Sequence, residues 1–130
     1  MQGPVTSAAV LYAKDIGSVS EFYSAVTGMA VTESESGHVA MEANGFQLVV
    51  VAVPQHIAAV IQIQSPPVRR EGTPIKLVFF VRSIQAASAK VAQLGGQMNP
   101  AERSWQFQGA AVLDGHDPEG NVFQLRQRAP

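Results

Sequence analysis

Val10-Leu11-Tyr12-Ala13-Lys14-Asp15-Ile16 returns 68 residues later as Val78-Phe79-Phe80-Val81-Arg82-Ser83-Ile84. Each stretch is a short β-prone run that leads into a helical pattern. The offset continues beyond it, matching Val26 with Leu94 and Gly28 with Gly96. Self-similarity at a constant shift marks a structural unit used twice. In the first copy Ser18 and Glu21 have the Ser-x-x-Glu spacing of a capping box, which satisfies exposed amides at a helix start. Val19, Phe22, Tyr23 and Val26 then fall at i, i+3, i+4 and i+7, a single apolar stripe. Gly28 closes that helix in a left-handed cap. In the second copy Ser83 is the cap, Ile84, Ala87, Val91 and Leu94 form the stripe, and Gly95-Gly96 follows. Each helix therefore has one face to bury, on a sheet.

Strand signals separated by turn residues follow each helix. Ala30 to Ser36 and His38 to Glu42 flank Gly37 as a hairpin, and Asn44-Gly45 precedes the β-prone run Phe46 to Val53. In the second copy Trp105 to Leu113 and Val122 to Arg126 flank Asp117-Pro118-Glu119-Gly120-Asn121, where proline presets a turn and glycine supplies a positive φ. A further strand falls near Gln97 to Ala101. Each half thus reads strand, helix, then about three strands. Between the halves, Ile57, Val60 and Ile61 fit a helical turn, while Ile57, Ala59, Ile61 and Ile63 fit strand alternation equally well. Pro66-Pro67 ends either, and Arg69, Arg70 and Glu71 read as a solvated linker.

Composition sets outer bounds. The 130 residues suit one domain, and 46% hydrophobic residues supply a core. Only 15% are charged, against about 25% in average soluble proteins, which suggests that some surface is buried in an oligomer. There is no cysteine, so thiol catalysis, cysteine-held zinc, iron–sulfur clusters and disulfides are excluded. The formal charge is −1 and the one basic doublet is Arg69-Arg70, no footprint for nucleic acid. No apolar run approaches the ~18 residues of a membrane helix. Met1-Gln2-Gly3-Pro4 lacks the basic start and apolar stretch of a secretory leader, so a cytoplasmic protein is expected.

Two βαβββ units, with Tyr12-Ala13-Lys14-Asp15-Ile16 leading into Phe22-Tyr23 and with the ending Asp117-Pro118-Glu119-Gly120-Asn121-Val122-Phe123-Gln124-Leu125, resemble the vicinal oxygen chelate superfamily. That group includes glyoxalase I, bleomycin resistance proteins, extradiol dioxygenases and fosfomycin resistance proteins. The likeness runs from about Ser7 to Arg126. It implies an α+β fold, two tandem βαβββ units forming one glyoxalase/bleomycin-resistance-like domain over residues 1–130, with a cleft formed by curled mixed sheets. The first unit is expected at about 6–54, a linker at about 55–72, and the second unit at about 73–127.

In metal-dependent members four strand positions project into the cleft, usually two His and two Glu. The resemblance carries these onto Ala8, Gln47, Lys76 and Gln124. Alanine has no donor atom, glutamine offers only a neutral carbonyl, and a protonated lysine has no lone pair. The family's metal ligands are thus missing at these positions, and no cofactor is expected. The same register turns Val10, Tyr12, Val49, Val51, Val78, Phe80 and Val122 toward the cleft, an apolar lining with few polar groups. Tyr12, Gln47, Lys76, Phe80, Trp105 and Gln124 are the candidate ligand-binding residues, with Phe107 beside Trp105. Lys76 either meets an anionic group or snorkels to water.

These features point to a metal-independent protein of the glyoxalase/bleomycin-resistance type that binds or sequesters a planar, partly apolar small molecule, as a homodimer without nucleic-acid or membrane partners. No catalytic residue stands out. The alternatives are a lyase or dioxygenase of the same superfamily with its metal on His38, Glu42 or His116, and a dimeric scaffold with a filled cleft. Asp117 and Glu119 read as turn-formers, and His56 has no evident partner.

Overall fold

The computed structural model describes residues 3–130; Met1 and Gln2, part of the stretch read above for a leader, lie outside the described residues. The chain divides into two compact units, one ending at Gln62 and the other running Ile63–Pro130. No helix among the described residues is long and apolar enough to cross a membrane.

The first unit runs β1 (Ser7–Ala13), α1 (Ile16–Thr27), β2 (Ala30–Ser34), β3 (His38–Ala43), β4 (Phe46–Ala52) and the single turn α2 (Gln55–Ala58). Its sheet has the order β1-β4-β3-β2, with β1 parallel to β4 and the other pairs antiparallel. The period of two sorts each strand: Val39, Met41, Leu48 and Val50 are buried, while Val10 and Tyr12 face outward. The buried face meets α1, whose Val19, Phe22, Tyr23 and Val26 are all buried as the stripe requires. The Phe22 and Tyr23 rings meet edge to face at 5.1 Å. Burying each such side chain contributes about 1.5–3 kcal/mol.

Helix α1 starts earlier than the capping-box reading placed it. Asp15 is the N-cap, its Oδ1 accepting the Ser18 amide at 3.0 Å. A carboxylate at the boundary takes the cap ahead of a hydroxyl three residues inside. Gly28 closes the helix with φ 78° as expected. Asn44 and Gly45, both at positive φ, make the β3–β4 turn. The ambiguous run after Pro54 resolves as α2, and Lys14 Nζ donates to the Ile61 carbonyl just after it.

The second unit repeats the plan with β5 (Leu77–Phe80), α3 (Ile84–Gln93), β6 (Gln97–Met98), a 3₁₀ turn at Ala101–Arg103, β7 (Trp105–Phe107), β8 (Ala110–His116) and β9 (Val122–Arg128). The strand order is β5-β9-β8-β6, with β7 also paired to β8 and β5 parallel to β9. Helix α3 begins at Ile84, 68 residues after Ile16, and Ser83 caps it by accepting the Ala86 amide. Gly95, rather than Gly96, takes the left-handed conformation. Trp105 to Leu113, read as one strand, is two. Gln108 and Gly109 both sit at positive φ and fold the run into a tight hairpin. Within the expected solvated linker Arg70 and Glu71 are exposed, but the Arg69 side chain and the Arg70 backbone amide are tied into this unit.

That tie begins at the closing turn. Asp117 is fully buried, and its Oδ1 accepts the amides of Glu119 at 2.8 Å and Asn121 at 3.0 Å while Oδ2 accepts Asn121 Nδ2 at 2.9 Å. Gly120 (φ 85°) packs so tightly on the connecting segment that a Cβ there would lie 2.1 Å from the Val68 carbonyl oxygen. The Arg70 amide donates to the Gly120 carbonyl at 2.8 Å. Arg69 then reaches inward, its Nε donating to His116 Nδ1 at 3.0 Å and its Nη1 to Asn99 Oδ1 at 2.6 Å. An arginine N–H can donate only to an unprotonated ring nitrogen, so His116 is the neutral Nε2–H tautomer. Burial holds its pKa below 6.5, Arg69 lowers it further, and Asp117 opposes them.

Two outcomes follow for urea unfolding. Gly120→Ala destabilises the protein by at least about 2 kcal/mol, from its left-handed φ and the clash with Val68. Gly37→Ala, with no atom within 4 Å of its Cβ, shifts stability by no more than about 0.5 kcal/mol. For His116 the unfolded chain takes up a proton first as pH falls through 6.5. Its contribution is therefore complete above 6.5 and declines below, by up to about 1.4 kcal/mol per pH unit, until the folded imidazole is protonated as well. Between pH 7.5 and 5.5, His116→Gln should lose less stability than the parent; equal losses would contradict the assignment.

Candidate functional site

With the helix on one side, each sheet leaves its other face open, and the period of two decides which residues occupy it. In the first unit that face carries Ala8, Val10 and Tyr12 from β1, Gln47, Val49 and Val51 from β4, and His38, Ala40 and Glu42 from β3, paired as Ala8–Gln47–Glu42, Val10–Val49–Ala40 and Tyr12–Val51–His38. Tyr12 is 61% exposed. Glu42 Oε2 accepts Gln47 Nε2 at 3.2 Å and the Thr32 hydroxyl at 3.0 Å. His38 shares the face of Glu42, as its spacing implied, but its ring pairs with Glu33 on β2.

In the second unit the open face is built in rows. Phe80, Arg126, Val112 and Trp105 lie side by side across β5, β9, β8 and β7, and Arg128, Ala110 and Phe107 form the next row. On the other side lie Val78, Gln124 and Asp114, with Lys76 one residue before β5. The polar members form a continuous chain. Lys76 Nζ donates to Asp114 Oδ2 at 2.7 Å, Gln124 Nε2 donates to Asp114 Oδ1 at 3.0 Å, and Arg126 Nε donates to Gln124 Oε1 at 2.7 Å. Beyond the chain the guanidiniums meet rings, Arg126 at 5.0 Å from the Phe107 centroid and 5.9 Å from that of Phe80, and Arg128 at 4.0 Å from that of Phe80. Phe80, Phe107 and Trp105 nevertheless remain 43–46% exposed. Lys76 and Asp114 also border a cavity of about 220 Å³ with Arg69, Arg70 and Thr73.

Of the sequence candidates, Lys76, Phe80, Trp105 and Gln124 thus lie on one face of the second sheet, while Tyr12 and Gln47 lie on the open face of the first. The 68-residue offset pairs Val10 with Val78, whose neighbours are Val49 and Gln124. The counterpart of Gln124 is therefore Val49, and Gln47 stands two residues earlier, opposite Ala8. The sequence reading missed Asp114, Arg126 and Arg128. A signal for them existed: a hairpin closed by Asp117–Gly120 sets Asp114 opposite Gln124, and alternation from Gln124 puts Arg126 and Arg128 on its face.

The chemistry of this group is that of a cationic and aromatic surface. Gln124 Oε1 already accepts from Arg126, and Lys76 brings a proton donor to Asp114. This donor set does not fit a divalent cation, which takes oxygen lone pairs. Of the other candidates, His116 has its Nδ1 engaged by Arg69. Among the described residues no group of three or more His, Asp or Glu is placed to hold a metal.

The glyoxalase-like domain pattern matches residues 8–126. Among solved structures, the chain is similar to a glyoxalase/bleomycin resistance protein/dioxygenase family enzyme from Burkholderia phytofirmans, at 16% identity and TM-score 0.69 over 94% of this chain and 97% of that one. It is similar to a glyoxalase/bleomycin resistance protein from Albidiferax ferrireducens, at 18% identity and TM-score 0.67 over 95% and 98%. A genomically encoded fosfomycin resistance protein from Listeria monocytogenes matches at 16% identity and TM-score 0.64 over 99% and 96%. No curated protein matches the chain. The twice-used βαβββ unit, the closing turn at Asp117–Asn121 and a family pattern spanning both units together show that the chain belongs to the glyoxalase-like domain family.

Proposed function

We propose that this protein binds a planar, partly apolar small molecule without a metal ion, in the manner of the metal-free side of its superfamily. The observation that carries the reading is the open face of the second sheet. There Phe80, Phe107 and Trp105 keep nearly half their surface in contact with solvent, beside polar groups held at fixed positions by one another. Exposed rings next to a few oriented polar groups are the usual make-up of a ligand site. The family positions at Lys76 and Gln124 support metal independence, because both side chains are engaged by Asp114 and Arg126. The Lys76–Asp114 pair is partly solvated and contributes at most about 1 kcal/mol to stability, so its value lies in placing charge.

Metal analysis of the untagged protein, after exposure to excess Mn, Fe, Co, Ni and Zn and desalting, tests the reading. Less than about a tenth of an equivalent of any metal is expected. Near one equivalent of a single metal would overturn it in favour of a metal-dependent lyase or dioxygenase. A screen of planar aromatic compounds, read by Trp105 fluorescence, should then yield ligands; a face that binds none would favour the scaffold reading.

A further inference from the structure

Arg126 and Arg128 are cations without a paired carboxylate among the described residues: neither guanidinium has one within 4.0 Å, whereas Lys76 meets Asp114 at 2.7 Å. Each is instead held against aromatic faces, Arg128 on Phe80 and Arg126 between Phe80 and Phe107. Arg126 is further aimed by its Nε donation to Gln124 Oε1, which leaves its terminal nitrogens for another partner. The rest of the polar chain is balanced, since Asp114 takes both Lys76 and the Gln124 amide. The uncompensated charge of this face is therefore concentrated at its aromatic end, on a protein whose overall formal charge is −1. Stacking on the rings restrains the two forks before any ligand arrives, which lowers the ordering cost of binding.

We infer that the ligand of this face is an aromatic carboxylate, its carboxylate held by the forks of Arg126 and Arg128 and its ring stacked among Phe80, Phe107 and Trp105. The guanidinium matches a carboxylate with two parallel hydrogen bonds, which an ammonium cannot do. The rings make a bare inorganic anion the poorer fit, because it would leave them in water. Phe80 and Trp105 lie three inter-strand spacings of roughly 4.8 Å apart, so the row is about 14 Å wide, enough for one or two fused rings. The inference rests on the small-molecule reading above and narrows it to a charge and a shape.

The test titrates the full-length ¹⁵N-labelled protein with naphthalene-2-carboxylate, with its neutral isostere naphthalene-2-carboxamide, and with inorganic phosphate. The Nε–H signals of Arg126 and Arg128 and the Trp105 indole N–H report binding, and sedimentation velocity reports association state. The carboxylate should bind at least about tenfold more tightly than the carboxamide and move all three signals. Arg128→Met and Arg126→Met/Arg128→Met, with near-UV circular dichroism as the check of folding, should collapse that preference toward unity. Arg128 is exposed and methionine keeps Phe80 covered, so the single variant retains the fold. Equal affinity for acid and amide would overturn the carboxylate assignment and leave the small-molecule reading standing. Phosphate saturating the arginine signals at the same concentrations would replace it with a simple anion site. Binding of none of the three would overturn both. A dimer that dissociates on Arg128→Met would show a second copy as the occupant and overturn the assignment.

Discussion

The buried carboxylate of Asp117 organises more of this protein than any other group. By accepting the amides of Glu119 and Asn121 it shapes the reversal between β8 and β9, and the reversal sets which residues of the two strands stand opposite one another. A slip of one residue would turn every side chain of a strand to the wrong face. With the turn in place, Asp114 meets Gln124 and Val112 meets Arg126, and Phe123 and Leu125 go beneath the sheet to α3. The same turn presents Gly120 to Val68, which brings Arg69 to His116. Register, the make-up of the open face and the docking of the connecting segment all trace to one loop of five residues.

The two units solve one packing problem and then diverge in chemistry. Both bury the face that meets the helix, and both set a glutamine on the last strand against a carboxylate on the strand before it, Gln47 with Glu42 and Gln124 with Asp114. The pairs do not occupy equivalent rows, because Gln47 lies opposite Ala8 while Gln124 lies opposite Val78. In the first unit the carboxylate takes the Gln47 amide and the Thr32 hydroxyl. In the second it takes an ammonium as well, and the glutamine passes its remaining acceptor to a guanidinium. Duplication preserved the scaffold, which apolar periodicity controls, and left the open faces to vary.

Much of this was legible in the residues. The 68-residue offset, the stripe Val19-Phe22-Tyr23-Val26 and the glycine after α1 define a helix on a sheet, made twice, because apolar period and φ > 0 are local properties. The capping of α1 was misplaced since two adjacent cap signals compete and only the folded boundary shows that Asp15 prevails. The Trp105–Leu113 run hid a hairpin because Gln108 is an unremarkable residue until its positive φ is seen beside Gly109. The candidate site was half visible: the aromatic and glutamine positions came from the family resemblance and its register, whereas Asp114, Arg126 and Arg128 needed the register across the closing turn.

The sequence by itself determined the duplicated βαβββ plan and the helix faces, since these depend on residue type and spacing along the chain. Only the tertiary structure decided what the polar side chains do. Lys76 was compatible with solvent or a ligand until a strand far along the chain put Asp114 within 2.7 Å. Arg69 looked like a linker residue until the closing turn drew it onto His116. The physical reason is range: hydrophobic periodicity is written in neighbours three or four residues apart, while a hydrogen bond or an ion pair is made by groups that only the folded register brings within three ångströms.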